Sequence, residues 1–305
     1  MLKTRDGWRV YTGKFRIADA NSCASSSAAS PFTPQARNMA TLKEISMRLK
    51  SVSNIAKITK SMKMIASTKV TKAQRAMEAA RVYGNSATAL YTHAETASAA
   101  DSKDLVIVVS SDRGLCGGIH SSLAKGTRKF LNEHPNSSLA IIGQKARAQL
   151  QRDQRAKIAI TFDGVSKNLP TWNEAALVAD EIIKSGVQFD TAQVVYNQFK
   201  SVIAFDTVTV PAHSLKSLSE SPKLAAYEVE EPVLKNFEEF TLANTLYWGI
   251  AEGNASEQAA KRTAMENATK NADEMIGKLT LTYNRSRQAS ITNDLIDIIT
   301  GAMAI

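Results

Sequence analysis

The sequence predicts an α/β protein in which one small domain with a mainly parallel sheet lies between two long helical tracts. Three observations predict it. No proline lies between Pro34 and Pro135 and none follows Pro232, so the strongest helix breaker is missing where long helices need it missing. Apolar residues in both tracts recur at steps of three and four, the period of a helix face. Between the tracts, short β-branched runs alternate with amphipathic stretches, the pattern of strands joined by crossover helices.

Taken from the amino terminus, residues 1–39 stand apart. Lys3, Arg5, Arg9, Lys14, Arg16 and Arg37 face only Asp6 and Asp19, and Ser22, Ser25, Ser26 and Ser27 cluster around Cys23. A basic, serine-rich, acid-poor leader is the composition of a mitochondrial transit peptide. Arg37 stands three residues before Ala40, a spacing typical of matrix processing, so the mature chain is expected to start at Ala40.

The first long tract, within 40–100, runs helical from Thr41 to Tyr83, with Gly84 weakening it and Ala87 to Ala100 a less regular continuation. Leu42, Ile45, Leu49, Val52, Ile55, Ile58, Met62 and Ile65 form its expected buried stripe. The remaining surface carries Lys43, Arg48, Lys50, Lys57, Lys60, Lys63, Lys69, Lys72, Arg75 and Arg81, opposed only by Glu44 and Glu78. Three readings of this basic face stay open: a merely solvated surface, a nucleic-acid contact, or a docking face for an acidic protein surface.

The central domain spans 101–211. Leu105 to Val109 reads as a strand buried on both faces, ending in a turn-rich loop from Ser110 to Gly118 that leads into a helix from Ile119 to Asn132. Leu139 to Ile142 and Lys157 to Ile160 are further strands around a short helix from Lys145 to Arg152. Glu174 to Ser185 is a helix, followed by strands over Ala192 to Phe199 and Ile203 to Val210. Residues 212–233 read as a linker from Pro211 onward, and 234–305 as the second long tract. Its alanines at 255, 259, 260, 264, 268 and 272 allow another helix to approach closely.

The chain has 305 residues, a formal charge of +9 and 44% hydrophobic residues, ordinary values for a soluble protein of one or two domains. The glycines at 114, 117 and 118 lack both the spacing of dinucleotide binders and the lysine-serine ending of a phosphate loop, so a structural turn is expected there. Cys116 belongs to no recognisable cysteine-histidine signature and reads as a packed thiol. Common hydrolase and metal motifs are missing. Neither a catalytic set, nor a metal site, nor a cofactor is expected.

Particular residues go further. Ala40-Thr41-Leu42-Lys43-Glu44-Ile45, Arg48-Leu49-Lys50-Ser51 and Ile58-Thr59-Lys60-Ser61-Met62-Lys63-Met64-Ile65-Ala66-Ser67 resemble the amino-terminal helix of the gamma-subunit family of mitochondrial F-type ATP synthases. Ser111-Asp112-Arg113-Gly114-Leu115-Cys116-Gly117 is similar to that family's central-domain loop. Arg262-Thr263-Ala264-Met265-Glu266-Asn267-Ala268 and Leu281-Thr282-Tyr283-Asn284-Arg285-Ser286-Arg287-Gln288-Ala289 resemble its carboxyl-terminal signature.

The resemblance implies that the terminal helices wind into a long antiparallel coiled coil standing on a Rossmann-like α/β domain. It implies a non-catalytic rotor, coupling proton-driven rotation of a c ring to successive states of catalytic beta subunits. The expected partners are a hexamer of alternating alpha and beta subunits, the delta and epsilon subunits and the c ring. The expected place is the matrix side of the mitochondrial inner membrane, peripheral to it. By family position, Arg287 and Gln288 are implied to bind a catch loop of a beta subunit, Arg285 to be a weaker contact, and Met62 to face the boundary of rotor and stator. Met303 and Ile305, in the uncharged tip from Gly301 onward, are implied to sit deepest in the hexamer. On the other side stands the alternative of a nucleic-acid-binding protein with a basic helix. Chloroplast relatives carry an extra regulatory cysteine pair, which this chain lacks.

Overall fold

The computed structural model describes residues 2–3, 9–12, 41–94, 96, 103–165, 167–214, 217, 223 and 231–303. Ile305, Ala40, most of the expected transit peptide and most of the expected linker lie outside them. The chain divides into two compact units: Met1–Gly13 with Met62–Met265, and Lys14–Ser61 with Glu266–Ile305. Two helices run through both, α1 (Leu42–Ala94) and a carboxyl-terminal helix over Glu231–Met303.

The first unit is built on a seven-stranded sheet. Its strands are β1 (Leu2–Lys3), β2 (Arg9–Thr12), β3 (Asp104–Val109), β4 (Ser138–Ile142), β5 (Ile158–Asp163), β6 (Thr191–Phe199) and β7 (Phe205–His213), in the order β1-β2-β5-β4-β3-β6-β7. The pairs β3/β4, β4/β5 and β3/β6 are parallel, while β6/β7 closes the domain antiparallel. The expected mainly parallel core is therefore present. β1 and β2, for which the sequence analysis expected no strand, extend the β5 edge antiparallel.

Crossover helices α2 (Ile119–Glu133), α3 (Gln144–Leu150) and α4 (Trp172–Lys184) connect the parallel strands, and the carboxyl-terminal helix is α5. Residues of β3 alternate between two cores. Leu105, Ile107 and Val109 meet Ala175, Val178 and Ile182 of α4 and Leu242, Leu246 and Ile250 of α5. Val106 and Val108 meet Leu123 and Leu131 of α2 and Leu150 of α3. This burial on both faces is why the strand is a continuous apolar run. The first turns of α5 thus belong to the α/β domain.

Local chemistry sets the helix starts. The Thr41 backbone N–H donates to Glu44 Oε2 at 2.9 Å, and the Glu44 N–H donates to Thr41 Oγ1 at 3.4 Å, a reciprocal capping box at the start of α1. Thr171 caps α4 in the same manner, accepting from the Glu174 N–H at 3.4 Å. α5 starts at Glu231, three residues earlier than expected, because Pro232 falls in the first turn, where a missing N–H costs no hydrogen bond.

Two expectations about helix and strand ends are corrected. α1 does not weaken at Gly84 but continues unbroken to Ala94. A Cβ at Gly84 would lie 2.8 Å from the Trp248 ring of α5, so the glycine serves a close approach of two helices and not a helix end. β7 runs through Pro211 to His213 where a linker was expected. It is the edge strand, with a free side on which proline is tolerated.

The seam of α1 also differs from the expected stripe. The buried positions Ile45, Val52, Thr59, Ala66, Ala73 and Ala80 recur every seven residues, joined by Val70, Met77, Gly84 and Tyr91. That is the spacing of a coiled-coil seam. Ile55, Ile58 and Ile65, placed in the stripe by their apolarity, are instead exposed. In the first unit α1 and α5 run antiparallel: Gly84 lies against Trp248, Arg81 against Glu252, and Tyr91 against Phe237. In the second unit Thr269 donates to Thr59 at 3.0 Å, and Ala272 is buried.

Candidate functional site

No compact catalytic constellation exists among the described residues, and no group of three or more His, Cys, Asp or Glu side chains there is placed to hold a metal. The features of functional interest are one helix face, one loop and one junction.

The face belongs to α5 in the second unit. Ala272, Ile276, Leu279, Tyr283, Ser286 and Ser290 are buried or half-buried and continue a seven-residue seam. From Ile291 to Met303 every residue is exposed, among them Ile291, Leu295, Ile296, Ile298, Ile299 and Met303, the last 83% exposed. So long an apolar surface in water marks a place for a partner. Arg285, Arg287 and Gln288 are exposed at the near end of this segment, and among the described residues neither arginine has an ion-pair partner.

Arg287 and Arg285 lie about 200° apart around the axis, on the two flanks of the seam residue Ser286, and Gln288 lies between them on the far side of the helix, about 100° from Arg287 and about 60° from Arg285. The structure therefore separates the two arginines and leaves Gln288 within reach of either. Met62, on α1 in the first unit, is half-buried. Ile305 lies outside the described residues.

The loop is Ser110 to Gly118. Asp112 is its anchor: its carboxylate accepts from the Gln144 N–H at 2.8 Å and the Gly164 N–H at 2.7 Å, tying together the loops that follow β3, β4 and β5. Gly143, with φ +99°, lies so close to this loop that a Cβ would stand 2.7 Å from the Ser111 nitrogen. The glycine-rich segment is thus a structural junction, as expected from its spacing.

Sequence analysis found no partner for Cys116, yet His120, in the first turn of α2, brings Nε2 to 3.1 Å from Sγ. His120 Nε2 is also 3.1 Å from the Arg113 carbonyl, and Nδ1 is 3.0 Å from Ser110 Oγ. A neutral ring satisfies this set, donating from Nε2 to the carbonyl and accepting at Nδ1 from the hydroxyl. Burial lowers the His120 pKa, and burial first, then the nearby Glu257 carboxylate, pushes the Cys116 thiol up to about 11. From the ordinary value of 9.0, that rise leaves about a hundredfold less thiolate near neutral pH, the opposite of an activated nucleophile. Cys116 is expected to resist iodoacetamide at pH 8 in the folded chain. Alkylation as fast as that of a free thiol contradicts the assignment.

The junction was invisible in the sequence. Glu252 of α5 is fully buried and accepts from Arg81 Nε at 2.7 Å, Trp248 Nε1 at 3.2 Å and the Phe199 N–H at 3.0 Å. Arg81 also donates through Nη2 to the Phe199 carbonyl at 3.1 Å. One carboxylate thus joins α1, α5 and the end of β6. Beside it Ala73, Met77 and Ala255 pack with Phe199, the small alanines permitting close helix contact. Arg81, counted above with the free basic face, is engaged here.

Comparison with known proteins agrees on one relationship. A family model described as ATP synthase matches residues 41–305. The mitochondrial ATP synthase subunit gamma of Yarrowia lipolytica is 47% identical over 274 residues, covering 88% of this chain and 94% of that protein. The gamma subunit of the ATP synthase F(1) complex of Rattus norvegicus is 44% identical over 272 residues, covering 87% of this chain and 100% of that protein. Among solved structures, a chain of the central stalk and c ring of the Tetrahymena thermophila mitochondrial ATP synthase aligns with a TM-score of 0.60 at 25% identity, over 69% of this chain and 99% of that one. A chain of the Euglena gracilis mitochondrial ATP synthase shares the fold, with a TM-score of 0.69 at 20% identity over 86% of this chain and 94% of that one.

Proposed function

This chain belongs to the family of mitochondrial ATP synthase gamma subunits, and from that premise we propose how its parts serve the central-stalk rotor. The rotor role itself follows from the family, as does the absence of catalytic sites, which reside in the beta subunits. The relatives give the nucleic-acid alternative no support. What is proposed here is the assignment of surfaces.

The exposed end of α5, from Ile291 to Met303, is the tip that enters the alpha-beta hexamer. The observation that carries this reading is the unbroken exposure of its isoleucines and Leu295, which a chain alone in water has no reason to present. A sleeve of apolar contacts without fixed charge pairs suits a bearing, because each contact is weak and none holds one angle. Arg287 and Gln288 form the catch with a beta-subunit loop. The guanidinium's planar fork can bind a carboxylate in two places, and a side-chain amide beside it adds both a donor and an acceptor. Met62, with the exposed Ile58 and Ile65 on either side of it in sequence, faces the stator.

The α/β domain is the foot, resting on the c ring together with the delta and epsilon subunits. Rotation of the ring turns the foot, and the foot turns the helices, whose faces differ around the axis. Each beta subunit is therefore driven through its states in sequence. The exposed lysines of α1 steer acidic beta-subunit loops through long, screened side chains.

The protein is mitochondrial, and its place is proposed to be the matrix side of the inner membrane, held there by partners. No helix among the described residues is long and apolar enough to cross a membrane. The transit peptide is proposed to be removed before Ala40, a site next to the start of the family match at residue 41. Extraction of mitochondria in mild detergent and affinity purification through this chain tests the assembly. The expected companions are alpha, beta, delta, epsilon and c subunits. Recovery without delta and epsilon contradicts the placement of the foot, and recovery without alpha and beta contradicts the reading as a whole.

A further inference from the structure

The first unit contains a cleft of about 340 Å³ whose inner residues, Arg113 and Gln258, have no part in the proposed rotor surfaces. Its lining includes Lys69 and Lys72 of α1, Arg113 of the loop after β3, Lys167 of the loop after β5, and the amides of Asn254 and Gln258 on α5. Four cations from three separate segments converge on it, and no carboxylate is among the lining residues. None of the four takes part in an ion pair among the described residues.

The donors are held in place. Arg113 donates through Nη2 to the Lys167 carbonyl, which fixes the guanidinium against the second loop. Asn254 donates to the Asn168 carbonyl at 3.2 Å, tying α5 to the same loop. Lys69 and Lys72, three residues apart, project from one face of α1. Gln258 is buried, and Arg113 is half-buried, so the cleft combines an inner amide and guanidinium with an outer ring of ammonium groups.

Like charges gathered with no carboxylate in the lining, and only the buried Glu257 close to Arg113, repel one another, and a multiply charged anion relieves that repulsion while satisfying the donors. The volume matches small-molecule sites and is too large for a single chloride. Arginine and lysine together suit phosphate oxygens, the fork as a bidentate clamp and the ammonium groups as mobile point charges. We propose that the cleft formed by Lys69, Lys72, Arg113 and Lys167 is a binding site for a diphosphate group, either free pyrophosphate or the phosphate chain of a nucleoside diphosphate. The enclosed Gln258 and Arg113 favour a small anion over an acidic polypeptide, which would meet only the three exposed lysines.

Isothermal titration calorimetry of the full chain with inorganic pyrophosphate tests the site, with ADP, orthophosphate, sulfate and a glutamate-rich peptide as parallel titrants at constant ionic strength. Saturable binding of one pyrophosphate per chain is expected, weakened about tenfold or more by Lys69→Ala with Lys72→Ala and retained by Lys69→Arg with Lys72→Arg. Both lysines are exposed, so the unfolding midpoint of the alanine variant should match that of the parent. Should that variant fail to fold, Lys167→Gln carries the same expectation. Equal affinity for pyrophosphate and ADP assigns the free or nucleotide-borne phosphate chain alike as ligand, and tighter ADP binding assigns the nucleotide. Sulfate binding as tight as pyrophosphate, tighter binding of the acidic peptide, or affinity untouched by the alanine pair overturns the proposal.

Discussion

Replacing Arg287 and Gln288 together by alanine is expected to leave the complex assembled and to lower its ATP synthesis by one to two orders of magnitude. Hydrogen bonds to a charged partner contribute about 1.5–3 kcal/mol each, and a loss of that size in the state where the rotor passes a beta subunit is about tenfold to a hundredfold in rate. The fold has no stake in these side chains. Both are exposed on α5, and neither arginine of this segment has an ion-pair partner among the described residues. Arg287→Lys should recover only part of the rate, because an ammonium keeps the charge and loses the fork. Arg285→Ala, which acts on the opposite flank of the helix, should have the smaller effect. ATP synthesis and hydrolysis by purified complexes, normalised to subunit content, distinguish these outcomes. Parental rates from the double variant would remove the catch from these residues.

Glu252→Ala is expected to act on the fold instead, lowering stability by about 1–3 kcal/mol, the cost of leaving buried donors without an acceptor. The change leaves Arg81 Nε, Trp248 Nε1 and the Phe199 N–H without their acceptor, and only Arg81, with its side chain 37% exposed, can turn to water instead. Because the three donors come from α1, α5 and β6, their release loosens both long helices from the sheet at once. Glu252→Gln keeps the size and one acceptor and should lose less. Thermal unfolding of the full chain, followed by circular dichroism, reads the difference. A midpoint for Glu252→Ala equal to the parental one would mean that the junction contributes nothing to holding the helices.

The main elements of the fold were legible because each rests on local pattern. The proline-free tracts became α1 and α5, and the β-branched run at Leu105 to Val109 became the central strand β3. The errors came where a distant neighbour overrides a local signal. Gly84 reads as a helix end until Trp248, far along the chain, is found against it. Pro211 reads as the start of a linker until β7 is seen to be an edge strand. Ile55, Ile58 and Ile65 read as core because apolarity alone does not reveal which of two apolar faces is covered by the chain itself. The seam instead runs through Thr59 and the alanines Ala66, Ala73 and Ala80, whose small side chains suit close helix packing but carry little hydrophobic signal.

The same reasoning divides the functional residues. Arg287 and Gln288 were reached through resemblance of a whole segment, since an exposed arginine on a helix has no signature of its own. The Arg81–Glu252 pair, whose members are 171 positions apart, could not be read from pattern at all. Cys116 and His120 are four residues apart, but Cys116 lies in the loop before α2, so no helical period announced their contact. Their burial, which sets their chemistry, came only from the fold.

Rotation is the central claim, and it can be watched. A short biotin-acceptor peptide inserted in the turn between α2 and β4, where Pro135 and Asn136 are exposed, offers a handle on the foot domain at the end of the parallel strands opposite the Phe199 junction. With the alpha and beta subunits fixed to a surface and ATP supplied, a bead on that handle is expected to turn in one direction, pausing at equally spaced angles, one for each catalytic beta subunit. A bead that stays still, or swings without direction, while the same complexes hydrolyse ATP at the parental rate would contradict the rotor.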